Sequence, residues 1–226
     1  MVIHDCGHLT LFSERWVNIW IGKLLGAITG IDLDSFRNRH WEHHKIFCKE
    51  GDPQGFHYLN IKSKTKAAFL WHLFRPLIGY NLQYVISESI LSLNNLIKSV
   101  KNGDIVLIIF VQILIMMGVT GFGQHIQLAL LPMISAATFG LFFSQLRGIA
   151  EHGTRAVTSS GQLVRSHLGD ILGQLFLYDV NFNYHKEHHD HPSIPSCNLP
   201  KKAKEETAKY SESMWQTLSM IYHRDK

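Results

Sequence analysis

Residues 105 to 146 contain no aspartate, glutamate, lysine or arginine. The first part, Ile105 to Phe122, reads IVLIIFVQILIMMGVTGF. As a helix its 18 residues would span about 27 Å, close to the thickness of a bilayer's hydrocarbon core. A turn is expected at Gly121 to Gln127, and a second apolar run continues from Leu128 to about Leu146, with Pro132 near its start. The core helix of a soluble protein seldom lacks a charged face over such a length. The stretch therefore predicts a transmembrane helical hairpin with spans at about 105–122 and 128–146.

The flanks orient this hairpin. Lys98 and Lys101 precede it, Arg147, Arg155 and Arg165 follow it, and the turn between carries neither lysine nor arginine. By the positive-inside rule both ends face the cytoplasm. The net charge of +4 fits such basic flanks, and the sequence lacks the dense basic stripe of a nucleic-acid binder.

Weaker apolar stretches predict helices that do not span. Trp16 to Ile31 is short, interrupted by Lys23 and rich in glycine, and reads as an interfacial or re-entrant segment. Residues 67 to 97 are interrupted by Arg75, Pro76 and Glu88; they read as interfacial helices with Trp71, Tyr80 and Tyr84 at headgroup level. The C-terminal part from Lys201 begins with KKAKEE, a solvated charge run, and ends in an amphipathic surface helix. The expected fold class is an all-α integral membrane protein, with one domain over residues 1–226, a transmembrane hairpin, interfacial helices and a metal site on the cytoplasmic side.

Three cysteines, Cys6, Cys48 and Cys197, have no CxxC spacing, which disfavours a disulfide framework or a thiolate zinc site and fits a reducing compartment. The first residues carry no basic stretch followed by an apolar core, so no secretory signal peptide is expected.

Three short clusters hold eight of the fifteen histidines: His4 with His8, His40 with His43 and His44, and His185 with His188 and His189. On a helix the i,i+4 and i,i+3,i+4 spacings put the imidazoles of each cluster on one face. Eight uncharged nitrogens are too many for one ion and suit two metals at roughly four ligands each. The zinc-protease register H-E-x-x-H is absent. Iron is favoured, although imidazole also suits zinc, copper and nickel. His152, in Arg147 to Gly153, is a ninth candidate just past the second span. Asp5, Glu42, Glu187 and Asp190 stand beside ligands and are candidates to accept the free N–H of a ligating ring. His191 is a weaker candidate for that surrounding shell, and Asn181 and Asn183 could bond ligands or cap the third cluster's helix. Asp52, in Gly51-Asp52-Pro53, reads as a turn residue.

These residues resemble the integral-membrane fatty acid desaturase family, whose H-x3/4-H, H-x2-H-H and [HQ]-x2-H-H boxes match His4/His8, His40/His43/His44 and His185/His188/His189. HDCGHLTLF, NIWIGKLLG, FRNRHWEHHK followed by GDP, RGIAEHG and NFNYHKEHHDHPSIPSCNLP extend the likeness over nearly the whole chain. The resemblance implies that His152 also binds metal, matching the family's histidine between the last span and the third box. It further implies a diiron centre, O2 as co-substrate, and removal of hydrogen from a methylene of a fatty acyl lipid held in the bilayer. A separate electron donor is expected, a ferredoxin or cytochrome b5 with its reductase, because no H-P-G-G haem motif is present. The three residues inside the first box disfavour a stearoyl-CoA type, and the histidine opening the third box disfavours the front-end subgroup. The implied location is a bacterial inner membrane or the endoplasmic reticulum. In the family a hairpin precedes the first box, whereas here the box begins at His4, so the chain is expected to be N-terminally truncated relative to the family. A carotenoid ketolase or hydroxylase on the same scaffold, or an inactive truncated paralogue, is the alternative; NFNYHKEHH with HPSIP leans towards fatty acyl chains.

Overall fold

The computed structural model describes residues 2–58, 65–83, 104–153, 164–168, 171–178, 180–203 and 213–223, and no strand occurs among them. In chain order the helices are α1 (Val2–His8), α2 (Arg15–Thr29), α3 (Leu33–Ile46), α4 (Lys66–Phe74), α5 (Asp104–Val119), α6 (Leu131–Ser135), α7 (Leu141–His152), α8 (Ile171–Phe176), α9 (His185–Asp190) and α10 (Met214–His223). The expected helical class is thus what the described residues adopt. They divide into two compact units, one of Val2–Arg39 and Pro76–Leu141, the other of His40–Arg75 and Phe142–Lys226.

In the first unit the expected short segment at 16–31 is α2. It stops where Gly30 takes a left-handed φ of 73°, a conformation that glycine adopts without a Cβ clash. The next helix starts at once, because the Asp32 carboxylate accepts the Ser35 N–H at 2.7 Å. Gly22 lets neighbouring segments approach α2: a Cβ there would stand 2.8 Å from a Leu33 methyl and 2.9 Å from the Cys6 Cβ. On another side α2 packs along α5. Lys23 pairs with Asp104 at 2.7 Å, and the Gln112 amide donates to the carbonyls of Ala27 and Ile28 at 2.8 and 3.0 Å. Those carbonyls belong to the last turn of α2, where the Ala27 carbonyl also accepts the Gly30 N–H at 3.4 Å.

The expected first span, 105–122, is a helix of 16 residues that ends at Val119. It stops early because the Thr120 hydroxyl donates back to the carbonyls of Met116 and Met117 and accepts the Gly123 N–H. Gly121, Phe122 and Gly123 then all take positive φ. The expected second span, 128–146, lies within Ile126–His152, 27 residues long, whose most apolar 18 residues have a mean hydropathy of 1.8. Pro132 stands in the first turn of α6, where its missing N–H costs no bond, and a π-helical stretch at Ala136–Gly140 links α6 to α7. Ile126–His152 is long and apolar enough to cross a membrane; α5 is apolar but shorter. One helix among the described residues meets both criteria, where the sequence suggested two. Trp71 and Tyr80 are exposed, while Tyr84, Lys98, Lys101 and Arg155 lie outside the described residues.

The second unit has the hydrophobic core. Tyr58, Phe69, Leu146, Ile149 and Ala150 meet one face of α10, which turns Met214, Leu218 and Ile221 inward. The C-terminal segment is therefore the amphipathic helix its spacing predicts. Each such buried aliphatic side chain contributes roughly 1.5–3 kcal/mol. The Gln145 side-chain amide donates to the His72 carbonyl and ties α7 to α4. His72 in turn donates from Nε2 to the His57 carbonyl at 2.9 Å.

Candidate metal centre

Within this second unit three helices deliver seven of the nine predicted ligands. The latter half of α3 carries His40, His43 and His44, α7 ends on His152, and α9 carries His185, His188 and His189. The helical spacing read from the sequence makes each set share a face.

Two short devices hold the ends of these helices. Arg165 donates to the carbonyls of Ala150 and Gly153 at 3.1 and 2.7 Å, closing the C-terminus of α7 beside His152. Gly153 is required there, since a Cβ would come within 2.3 Å of the Ile149 carbonyl oxygen. The adjoining Ser166 hydroxyl accepts the Lys186 N–H at 3.0 Å and donates to the Glu187 carboxylate at 2.5 Å. It satisfies a backbone donor in the first turn of α9, whose own N-cap residue, Tyr184, offers no side-chain bond. One short segment therefore fixes both His152 and the third cluster.

The seven imidazoles fall into two groups. In one, His43, His152, His185 and His189 bring one nitrogen each to within 4.8 Å of one another. His152 and His185 face each other through Nε2 at 2.8 Å, and His185 and His189 at 3.2 Å. In the other, His44 Nε2 stands 2.9 Å from His188 Nε2 and 3.1 Å from His40 Nε2. His4 and His8 belong to the other unit, where their rings lie side by side with centroids 4.7 Å apart and the Asp5 carboxylate lies 3.0 Å from His4 Nδ1.

Electrostatics keep His185 and His189 neutral. Burial, followed by the neighbouring imidazoles, holds His185 and His189 well below the ordinary histidine value. Neutral rings keep the lone pairs that metal coordination needs. Moreover, His43 Nε2 is buried with no hydrogen-bond partner, an expensive state for a polar atom. Donors around one ion at bonds of about 2.0–2.1 Å stand roughly 3 Å apart, the spacing of these facing nitrogens. The residues thus fit a metal, and the two groups fit two.

The carboxylates divide differently from the sequence expectation. Asp5 does meet a histidine of its cluster, but Glu42 pairs with Lys45 at 3.2 Å and Asp190 with Lys186 at 2.6 Å on the exposed faces of their helices. Glu187 takes the Ser166 hydroxyl. Asp52, expected to be only a turn residue, is buried and accepts from His43 Nδ1 at 2.9 Å. Burial pushes its carboxyl up, yet the bonds from His43, Tyr58 and the Gln54 backbone outweigh this and hold it below the ordinary value. Glu151, expected beside His152 at the end of the second apolar run to face the site, lies 3.6 Å from His185 Nε2 and is paired with Arg147 at 3.0 Å. His191 is exposed. Nothing in the local spacing reveals Asp52; the one signal is an acid in the turn that follows a histidine-rich helix.

The profile of the fatty acid desaturase family matches residues 1–218, and the chain belongs to that family. The sphingolipid delta(4)-desaturases of Bos taurus and Homo sapiens are each 26% identical to it over 213 residues, covering 88% of this chain and 58% of the relative. The sphingolipid delta(4)-desaturase/C4-monooxygenase of Rattus norvegicus is 27% identical over 214 residues, with the same coverage. The chain thus spans 58% of the length of these curated relatives. No solved structure shows significant similarity to it.

Proposed function

We propose that this chain carries the catalytic metal centre of a membrane-bound, O2-dependent diiron desaturase that introduces a double bond into the hydrocarbon chain of a lipid. The observation that carries the reading is the pair of imidazole groups, His43/His152/His185/His189 and His40/His44/His188. His4 and His8 supply further ligands; their H-x3-H spacing and their side-by-side burial support this. When bound, two irons supply activation of O2 and the oxidising power to remove hydrogen from an unactivated methylene. The protein's own residues do the rest: they hold His185 and His189 neutral, back His43 with a hydrogen bond from its ring to Asp52 and keep water from the buried group.

The proposed setting is a bilayer spanned by Ile126–His152, with α5 completing the hairpin and the histidine clusters on the cytoplasmic face, in a bacterial inner membrane or the endoplasmic reticulum. The exposed apolar side chains of α5 support it, because nothing among the described residues covers them. Electrons come from a separate donor, a ferredoxin or cytochrome b5 with its reductase. The names of the curated relatives favour a sphingolipid substrate over a carotenoid. A second reading, oxygen insertion instead of desaturation, is favoured by the rat relative, whose name joins the two activities.

The test is expression in a host that supplies the donor, with total lipids and long-chain bases profiled by mass spectrometry beside a His188→Ala control. A new double bond that disappears with His188→Ala is the expected result. A hydroxylated product would select the second reading. Equal products from wild type and His188→Ala would refute both.

A further inference from the structure

The turn after α3 reaches both histidine groups, and it does so with different chemistry. The Asp52 carboxylate lies 2.9 and 3.1 Å from His43 Nδ1. It also accepts the N–H groups of Gln54 at 2.8 Å and Cys48 at 3.3 Å, and the Tyr58 hydroxyl. Four donors hold this carboxylate in one place. Two residues further on, the Gln54 side-chain amide lies 3.0 Å from His40 Nδ1. His43 belongs to one imidazole group and His40 to the other.

We infer that the Asp52–Gln54 turn is a positioning element that makes the two metals unequal, backing one ligand with an anion and the other with a neutral amide. The inference rests on the two-metal reading given above. With Nε2 on a metal, each ring carries its proton on Nδ1. For His43 that N–H donates to a carboxylate, a charge-assisted bond roughly twice as strong as a neutral one. It fixes the tautomer that presents Nε2 and makes that nitrogen a stronger donor. For His40 the N–H meets Gln54, which must turn its amide oxygen to it; amide orientation follows the hydrogen-bond network. The weaker acceptor leaves His40 less basic. Through this turn the metal of the His43 group gains affinity, and stability of its oxidised form, that the metal of the His40 group does not. One turn of sequence, Gly51-Asp52-Pro53-Gln54, sets the difference.

The experiment uses the whole chain loaded anaerobically with ferrous iron enriched in 57Fe, read by chelator competition and by Mössbauer spectroscopy. The wild type should bind two irons with separate affinities and two distinct quadrupole doublets. Asp52→Asn should weaken one iron by about 10–100-fold and move one doublet, leaving the other in place. Asp52→Glu should restore part of the affinity. Gln54→Glu, which keeps Asp52, should bring the two affinities and the two doublets closer together. Circular dichroism checks the fold of each variant. Should Asp52→Asn fail to fold, Gln54→Glu decides alone. An Asp52→Asn protein that is folded yet weakens both irons equally, or neither, overturns the inference, as does a Gln54→Glu protein with the wild-type separation. A wild type that takes up fewer than two irons overturns the two-metal reading itself.

Discussion

The two units of this molecule distribute polarity in opposite ways. In the unit of His40–Arg75 and Phe142–Lys226, the imidazoles of His43, His152, His185 and His188 are among the least exposed groups, at 0 to 3%. In the unit of Val2–Arg39 and Pro76–Leu141, large apolar side chains stand outside: Phe110 is 58% exposed, Met133 63%, and Trp16 and Trp20 64% each. Trp16, Trp20, Leu24 and Ile28 recur every fourth residue and form a stripe along α2. Buried nitrogens without hydrogen-bond partners are tolerable only where something else takes their lone pairs, and bare apolar helices only where water is absent. The unit of His40–Arg75 and Phe142–Lys226 is built around clustered imidazoles, and the other carries its large apolar side chains on the outside.

The largest effect should come from removing one imagined pillar of that contrast, a ligand of the buried group. His185→Ala deletes a ring that faces both His152 and His189 through Nε2. Metal content of the purified protein, measured by inductively coupled plasma mass spectrometry, should fall from two irons to one or fewer, with activity lost. Full metal content in this variant would remove the buried group from the centre.

Acid should act next, and on the histidine-bearing unit. Burial, then the positive neighbours His72 and Arg147, lowers His57 to about 3. Burial also lowers His72 to about 4, against the opposing bond to the His57 carbonyl. Unfolded, both titrate near 6.5, so below that pH the unfolded chain binds protons that the folded one refuses. The stability these rings contribute is complete above about pH 6.5 and is lost as pH falls through about 4 and then about 3. Thermal unfolding of the metal-free protein between pH 7.5 and 4 should show a falling midpoint. His57→Gln, which cannot titrate, should flatten the fall, and an unchanged slope would count against this assignment.

What the sequence makes legible follows from the reach of each interaction. The three histidine clusters are local patterns, so helical periodicity alone places their rings on shared faces, and the amphipathic α10 was readable for the same reason. His152 was a candidate from its place just past the second apolar run, and the resemblance strengthened it; no spacing pattern marks it. Asp52 was misread because its partner, His43, lies across a turn that has no periodicity. Arg165 and Ser166 bond to atoms 12 to 21 residues away, beyond any local window. The end of α5 was placed three residues late, since hydropathy continues through Phe122 while the Thr120 hydroxyl and three positive φ angles stop the helix. Apolar runs reveal which segments avoid water, but not which hydroxyl ends them.

A charge placed on the outer face sharpens the contrast further. Ile113, near the middle of α5, is 50% exposed. In water, Ile113→Lys would change stability by no more than about 0.5 kcal/mol, as surface substitutions do. Against lipid, a lysine at the centre of a spanning helix costs about 2.5–3.5 kcal/mol. Membrane integration of the variant, followed by alkali extraction, should therefore drop clearly below wild type. Integration equal to wild type would mean that this face meets water or protein instead of lipid.

The smallest effect concerns the polar exception within the apolar unit. Gln112 interrupts an otherwise apolar α5, and its amide is spent on the carbonyls of Ala27 and Ile28 at the end of α2. Carbonyls left without partners in hydrocarbon are costly, so a glutamine there closes a helix end that water would otherwise have to satisfy. Gln112→Leu keeps the volume and raises the hydropathy of α5, which by itself would favour insertion. It should nevertheless destabilise the packing of α2 on α5 by about 0.6–1.7 kcal/mol, the range measured for such bonds in membranes. Unfolding in mixed detergent would report it, and Gln112→Asn, whose shorter side chain carries the same amide, should fall between the two. A Gln112→Leu protein more stable than wild type would mean that the end of α2 lies within reach of water, which would move that end of α2 from the apolar interior to an interface.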